Sequence, residues 1–176
     1  MPEFATGAVG TRIRQGLGAL RPRLPEDRQA ILAKFLSPAQ AAAFRALPVH
    51  DQAHLCRVHR SLLSGGVVDR DLLTAALLHD LGKATASGRV RLPDRVVRVL
   101  LARLTPGVLR RLARLPAPPW RRGIALAVHH PAVGAARAAA LGCSPRACWL
   151  IAHHEDPSAM DDPDLARLAA ADAACP

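Results

Sequence analysis

Apolar residues recur at helical spacing along nearly all of the chain from Pro25 onward, and Pro, Gly and short polar residues punctuate them. Glu26–Leu36 carries an acidic first turn and an apolar stripe. Ser37-Pro38 supplies an N-cap and a proline at the first helical position, opening a short helix to about Ala46. A third helix runs from about His50 to Leu63 and stops at Gly65-Gly66. Asp69 caps a fourth, Arg70 to Asp80, which ends at Gly82. Pro93–Leu104 and Pro106–Leu115 read as the fifth and sixth, and the run PAPP at 116–119 as a stiff connector. Trp120–His130 is a seventh; Pro131 and Ser144-Pro145 open the eighth and ninth; Asp162-Pro163 opens the last, to about Ala174. No stretch of four or more residues alternates apolar and polar with β-branched weight, and there is no internal repeat. The pattern predicts an all-α fold, a compact bundle of about ten helices with short connections. Residues 1–24, Gly- and Arg-rich with weak periodicity, read as a flexible basic tail, which leaves 25–176 as a single domain.

Composition supports a packed core. The 176 residues are half hydrophobic and 22% charged, which is globular rather than disordered usage. Four scattered Cys form no CxxC pair, exclude a disulfide scaffold and read as small buried residues. No apolar run is long enough to span a bilayer and the N-terminus has no long apolar centre, so a cytoplasmic location without a membrane partner is expected. The net charge is +10, and 22 of the 24 basic residues are Arg. That excess points either to an anionic partner, a nucleotide or a nucleic acid, or to a solvated Arg-rich surface. Aromatics are only 3%, so base-stacking platforms are scarce and nucleic acid is the less favoured partner.

The histidines change the picture. In LLTAALLHDLGK (72–83) the helix is apolar almost all round, hence buried, yet it terminates in His79-Asp80. An ionised carboxylate at a buried helix end costs several kcal/mol unless compensated. A divalent metal compensates it, because it binds neutral imidazole and carboxylate together. His129-His130 and His153-His154 sit at the ends of two other apolar helices. Neighbours on a helix are about 100° apart, so one of each pair faces a shared centre. His130 shares its face with Leu126 and Ala127, and His154 with Leu150 and Ile151. Asp172 is a lone acid on the Leu165/Leu168 face of the last helix. A further ligand is expected from the 50–63 helix, which carries His50, His54 and His59; periodicity does not choose between them, and His54 and His59 both border the apolar stripe.

The order His54, His79-Asp80, His130, His153-His154, Asp172 resembles the HD superfamily of metal-dependent phosphohydrolases, named for the His-Asp doublet found here in LLHDLGK. The resemblance runs from Asp51 to Asp172, through HLCRVHRSLL, AALLHDLGK, HHPAVGA, HHEDP and AAAD. It implies an all-α HD-type bundle with core metal ligands at His54, His79, Asp80 and Asp172. It places a second-metal set on His130 and on His153 or His154, so that one or two ions, iron or manganese foremost, would be held. After HHEDP the chain reads SAMDDPD rather than a GYP-like signature, which disfavours a cyclic-di-GMP phosphodiesterase.

The expected chemistry is hydrolysis of a nucleotide-like phosphoester by metal-activated water, with a small phosphorylated substrate. Asp80 would orient the nucleophile and Lys83 would contact a non-bridging oxygen, making these two the catalytic candidates. Glu155 is a candidate base, and Arg121 and Arg122, beside Trp120, are candidates for binding the substrate. The alternative is a non-catalytic, metal-stabilised signalling or interaction module.

Overall fold

The computed structural model of the chain describes residues 24–86 and 88–175, so the predicted basic tail lies, apart from Leu24, outside the described residues. Among the described residues the fold is all-α, with nine α-helices. They are α1 (Arg28–Phe35), α2 (Pro38–Arg45), α3 (Val49–Ser64), α4 (Arg70–Leu78), α5 (Leu92–Leu104), α6 (Pro106–Leu112), α7 (Arg122–Ala140), α8 (Pro145–His153) and α9 (Pro163–Ala174). The caps read at Ser37 and Asp69 are made, and the helix openings read at Ser144 and Asp162 are capped in the same way. Ser37 Oγ accepts from Gln40 N, and the Gln40 side chain returns the bond to Ser37 N at 2.9 Å. Asp69 Oδ1 accepts from Leu72 N at 2.8 Å, Ser144 Oγ from Ala147 N at 3.0 Å, and Asp162 Oδ1 from Asp164 N and Leu165 N. Each such cap stabilises its helix by about 1 kcal/mol.

Helix α4 is the central element. Every residue from Leu72 to Leu78 is buried. Around it pack Leu32 and Phe35 of α1, Leu55, Val58 and Leu62 of α3, Leu150 and Ile151 of α8, and Leu165 and Leu168 of α9. An all-round apolar helix can satisfy its surface only in this way. Because α4 stops at the centre of the molecule rather than at its edge, the two residues after it, His79 and Asp80, are buried as well.

Two expectations are corrected. The predicted seventh and eighth helices are one, α7, with Pro131 inside it. A proline there removes the hydrogen bond to the carbonyl four residues back, on Ala127. That carbonyl is instead 3.1 Å from His130 Nδ1, so the imidazole replaces the missing backbone donor and the helix continues. The fourth helix ends at Leu78 rather than Asp80, and a 3₁₀ turn over Leu81–Lys83 follows. A short antiparallel ladder that the pattern did not announce pairs Ala84 with Arg89 and Thr85 with Gly88.

Gly82, expected to end the fourth helix, has a further task. A Cβ at this position would collide with the backbone of α7, against the carbonyl of His130 and the nitrogen of Gly134 at 2.7 Å. Only a residue without a side chain lets the turn press onto α7, and that contact sets His79-Asp80 against His130. Gly82→Ala is therefore expected to destabilise the fold by about 3 kcal/mol, since backbone cannot yield as side chains do. Thermal or urea denaturation measures it, and an unchanged midpoint would show that the two segments separate freely.

Candidate metal centre

Six side chains from five elements converge. His54 comes from the middle of α3, His79 and Asp80 from the end of α4, His130 from α7, His154 from the end of α8, and Asp172 from α9. His79, Asp80, His130 and His154 are buried and Asp172 is half-buried. They form two three-residue groups, His54/His79/Asp80 and Asp80/His130/His154, within each of which the ligand atoms lie inside 4.8 Å of one another. Asp80 belongs to both. Its Oδ1 is 3.5 Å from His130 Nε2, 3.8 Å from His79 Nε2 and 3.9 Å from His154 Nε2. Asp172 Oδ1 is 2.8 Å from His54 Nε2 and 3.4 Å from His79 Nε2, on the side of the first group.

The backbone decides which ring nitrogen faces the centre. His79, His130 and His154 each donate Nδ1–H to the carbonyl three residues earlier, on Ala76 (3.1 Å), Ala127 (3.1 Å) and Ile151 (2.8 Å). In each case that carbonyl lies where a helix ends or where proline removes the usual donor. His54 donates Nδ1–H to the carbonyl of Cys175 at 2.7 Å. A carbonyl can only accept, so all four rings carry the Nδ1 proton and turn Nε2 inward. This outer support, with a backbone carbonyl on the far nitrogen, is how metal-binding histidines are held.

The inward atoms lack protons to share. His130 Nε2 and His154 Nε2 are 3.2 Å apart. Two neutral rings already protonated on Nδ1 would oppose their lone pairs there. His79 Nε2 and Asp80 Oδ1 are buried without a hydrogen-bond partner. Donors on a common ion at about 2.1 Å and near-tetrahedral or octahedral angles lie roughly 3.0–3.4 Å apart, which the His130–His154 spacing meets. Imidazole and carboxylate without thiolate suit manganese, iron or zinc. The residues present therefore fit a divalent cation, with one or two ions accommodated by the shared carboxylate.

Electrostatics agree. Burial alone would raise the Asp80 carboxyl, but Lys83, His79, His130 and His54 outweigh it and hold the group well below the usual carboxylate range. Burial would likewise raise Asp172, and the adjacent His54 and His79 rings override it and hold it low. Burial lowers the His130 ring to about 4 against the pull of Asp80, and lowers His154 with help from His79. For His79 burial works downward, while Asp80 and Asp172 together raise it. The centre thus holds ionised carboxylates beside two rings kept neutral, the protonation state a cation requires.

The remaining candidates take other positions. His153 lies outside the cluster, half-exposed, with Nδ1 3.3 Å from Asp156 and its ring against Trp149. His59 is buried apart, edge-on to Phe35, with Nδ1 donating to the Leu73 carbonyl. Lys83 Nζ donates to Asp80 Oδ2 at 2.6 Å. Arg121 is committed to the carbonyls of Leu112, Arg114 and Pro116, and Arg122 Nε donates to that of Ala117. Both tie the 112–117 connector to α7. One residue not singled out from the sequence stands at the rim. Arg98 of α5 forms a two-pronged ion pair with Glu155, at 2.5 and 3.1 Å, and Glu155 Oε1 is 3.9 Å from His130 Nε2. No spacing in the sequence relates positions 98 and 155, which are far apart along the chain.

Two outcomes are expected. Manganese should raise the melting temperature, by about 2.7 kcal/mol of stability at a hundred times the dissociation constant, and Asp80→Asn should abolish the rise. In chelator, His130 binds a proton near 6.5 when unfolded and only at about 4 when folded, so it lowers stability as pH falls through that window. His130→Gln should therefore lose less stability than the wild type between pH 6.5 and 4, by about 3 kcal/mol, in urea titrations at the two ends. No protein-family model matches the chain, and neither the curated proteins nor the solved structures yield a match.

Proposed function

We propose that the chain is an HD-type metal-dependent phosphohydrolase acting on a nucleotide-like phosphoester. The observation that carries this reading is the pair of His/Asp groups joined through Asp80, with four imidazoles held Nε2-inward by backbone carbonyls. His54, His79, Asp80 and Asp172 would hold one ion, and Asp80, His130 and His154 a second. A divalent cation there supplies Lewis-acid polarisation of a phosphoryl oxygen and makes water acidic enough to attack near neutral pH.

The chain's own residues do the rest. Asp80 keeps Oδ1 toward the three Nε2 atoms because Lys83 grips Oδ2. Lys83 is fixed beside the cluster and presents its ammonium to a non-bridging phosphoryl oxygen. Burial of four of the six ligand positions keeps bulk water from screening these charges. Glu155, kept ionised by Arg98 against the upward push of burial, bounds the second group on its outer side.

The test is hydrolysis of bis(4-nitrophenyl) phosphate by manganese-loaded protein. Wild type is expected to turn over, to stop with chelator and to recover with added manganese. Asp80→Ala should fall on the order of 100-fold or more, and Lys83→Ala on the order of 100-fold in kcat with the metal retained. Equal rates for metal-loaded wild type and Asp80→Ala would end the phosphohydrolase reading.

A further inference from the structure

Helix α5 is built inside out. None of its residues is buried. At about 100° per residue, Leu92, Val96, Leu100 and Leu104 fall within an arc of about 120°, and all four are at least half exposed. The polar side points the other way, into the protein. Arg95 pairs with the buried Asp51 at 2.8 Å and Arg98 with Glu155. An ordinary surface helix does the reverse. Val108 of α6 is exposed as well, and Trp120 stands 73% exposed in the connector that follows.

Charge says what covers this face. From residue 84 to 154 the chain holds 12 Arg and a single acid, Asp94, so this segment carries all of the net positive charge. Arg103, Arg110, Arg111 and Arg114 are exposed and have no ion pair among the described residues. A second copy would bring like charge against like. A nucleic acid would neutralise the arginines and leave the aliphatic arc in water. An anionic bilayer meets both demands, with acyl chains for the leucines, headgroup phosphates for the guanidinium groups and the interface for the indole.

We propose that the outward face of α5 and α6, with Trp120, docks onto an anionic lipid surface. The contact is interfacial, since no helix of the described residues is long and apolar enough to cross a membrane. It stands independently of the phosphohydrolase reading and is tested without substrate.

The full chain is floated with vesicles of phosphatidylcholine alone and of phosphatidylcholine with about 30% phosphatidylglycerol. Binding to the anionic vesicles only, weakening as salt rises, is expected. Arg110→Glu with Arg111→Glu should cut the affinity by about tenfold or more, and Leu100→Ser with Leu104→Ser by about tenfold. These positions are exposed, and unchanged melting temperatures would show both variants folded. In a Trp149→Phe background, Trp120 emission should shift to the blue on anionic vesicles. Three results would overturn the proposal. One is no binding to anionic vesicles, or equal binding to neutral ones. Another is binding to poly(U) that loses affinity with the arginine variant but not the leucine variant, while vesicles are ignored. The third is a dimer in solution that the leucine variant dissolves.

Discussion

The centre rests on one constraint: four imidazoles whose outer nitrogens are all committed to backbone carbonyls. With Nδ1–H donated to Ala76, Ala127, Ile151 and Cys175, each Nε2 has a lone pair and nowhere to direct it but inward. Two of those atoms stand 3.2 Å apart, and a desolvated carboxylate faces three of them. Electron pairs gathered in a low-dielectric space require positive charge among them. A divalent cation would answer the same need with one or two charges at the places where the lone pairs meet.

The scaffold delivers that geometry by interrupting helices. The carbonyls that orient His79, His154 and His130 lie where the regular ladder fails, at the ends of α4 and α8 and at Pro131 in α7. Placing His79 and His154 directly after their helices, and His130 directly before a proline, puts each ring within reach of such a carbonyl. Gly82 adds the remaining condition. Without a side chain it allows the 81–83 turn to rest on the backbone of α7, which brings the Asp80 side of the centre to the His130 side.

The same molecule carries a surface organised on opposite lines. In the centre, charge is buried and neutralised within the chain. On α5 and α6, aliphatic side chains and arginines are presented together to the outside, with the inward polar side of α5 held by Asp51 and Glu155. Arg98 links the two regions, since its carboxylate partner also borders His130.

Much of this was legible in the sequence. Ser37, Asp69, Ser144 and Asp162 announce their helices because a cap acts over three residues, and the all-apolar 72–78 stretch announces the central helix because it has no polar face to expose. The doublet at 79–80 and the lone acid at 172 stood out for the same local reason, as charge at the end or on the face of an apolar helix. Other features had no local signature. His54 and His59 sit on equally apolar borders, and only the approach of α9 places Asp172 and the Cys175 carbonyl at the first of them. Pro131 read as a helix start because its compensating donor, His130 Nδ1, depends on a rotamer. The Arg98–Glu155 pair joins distant positions. Local spacing determined the helices and the residues able to bind a cation; the packing of five elements against one another decided which of them meet, because convergence in space is a property of contacts between segments and not of any segment alone.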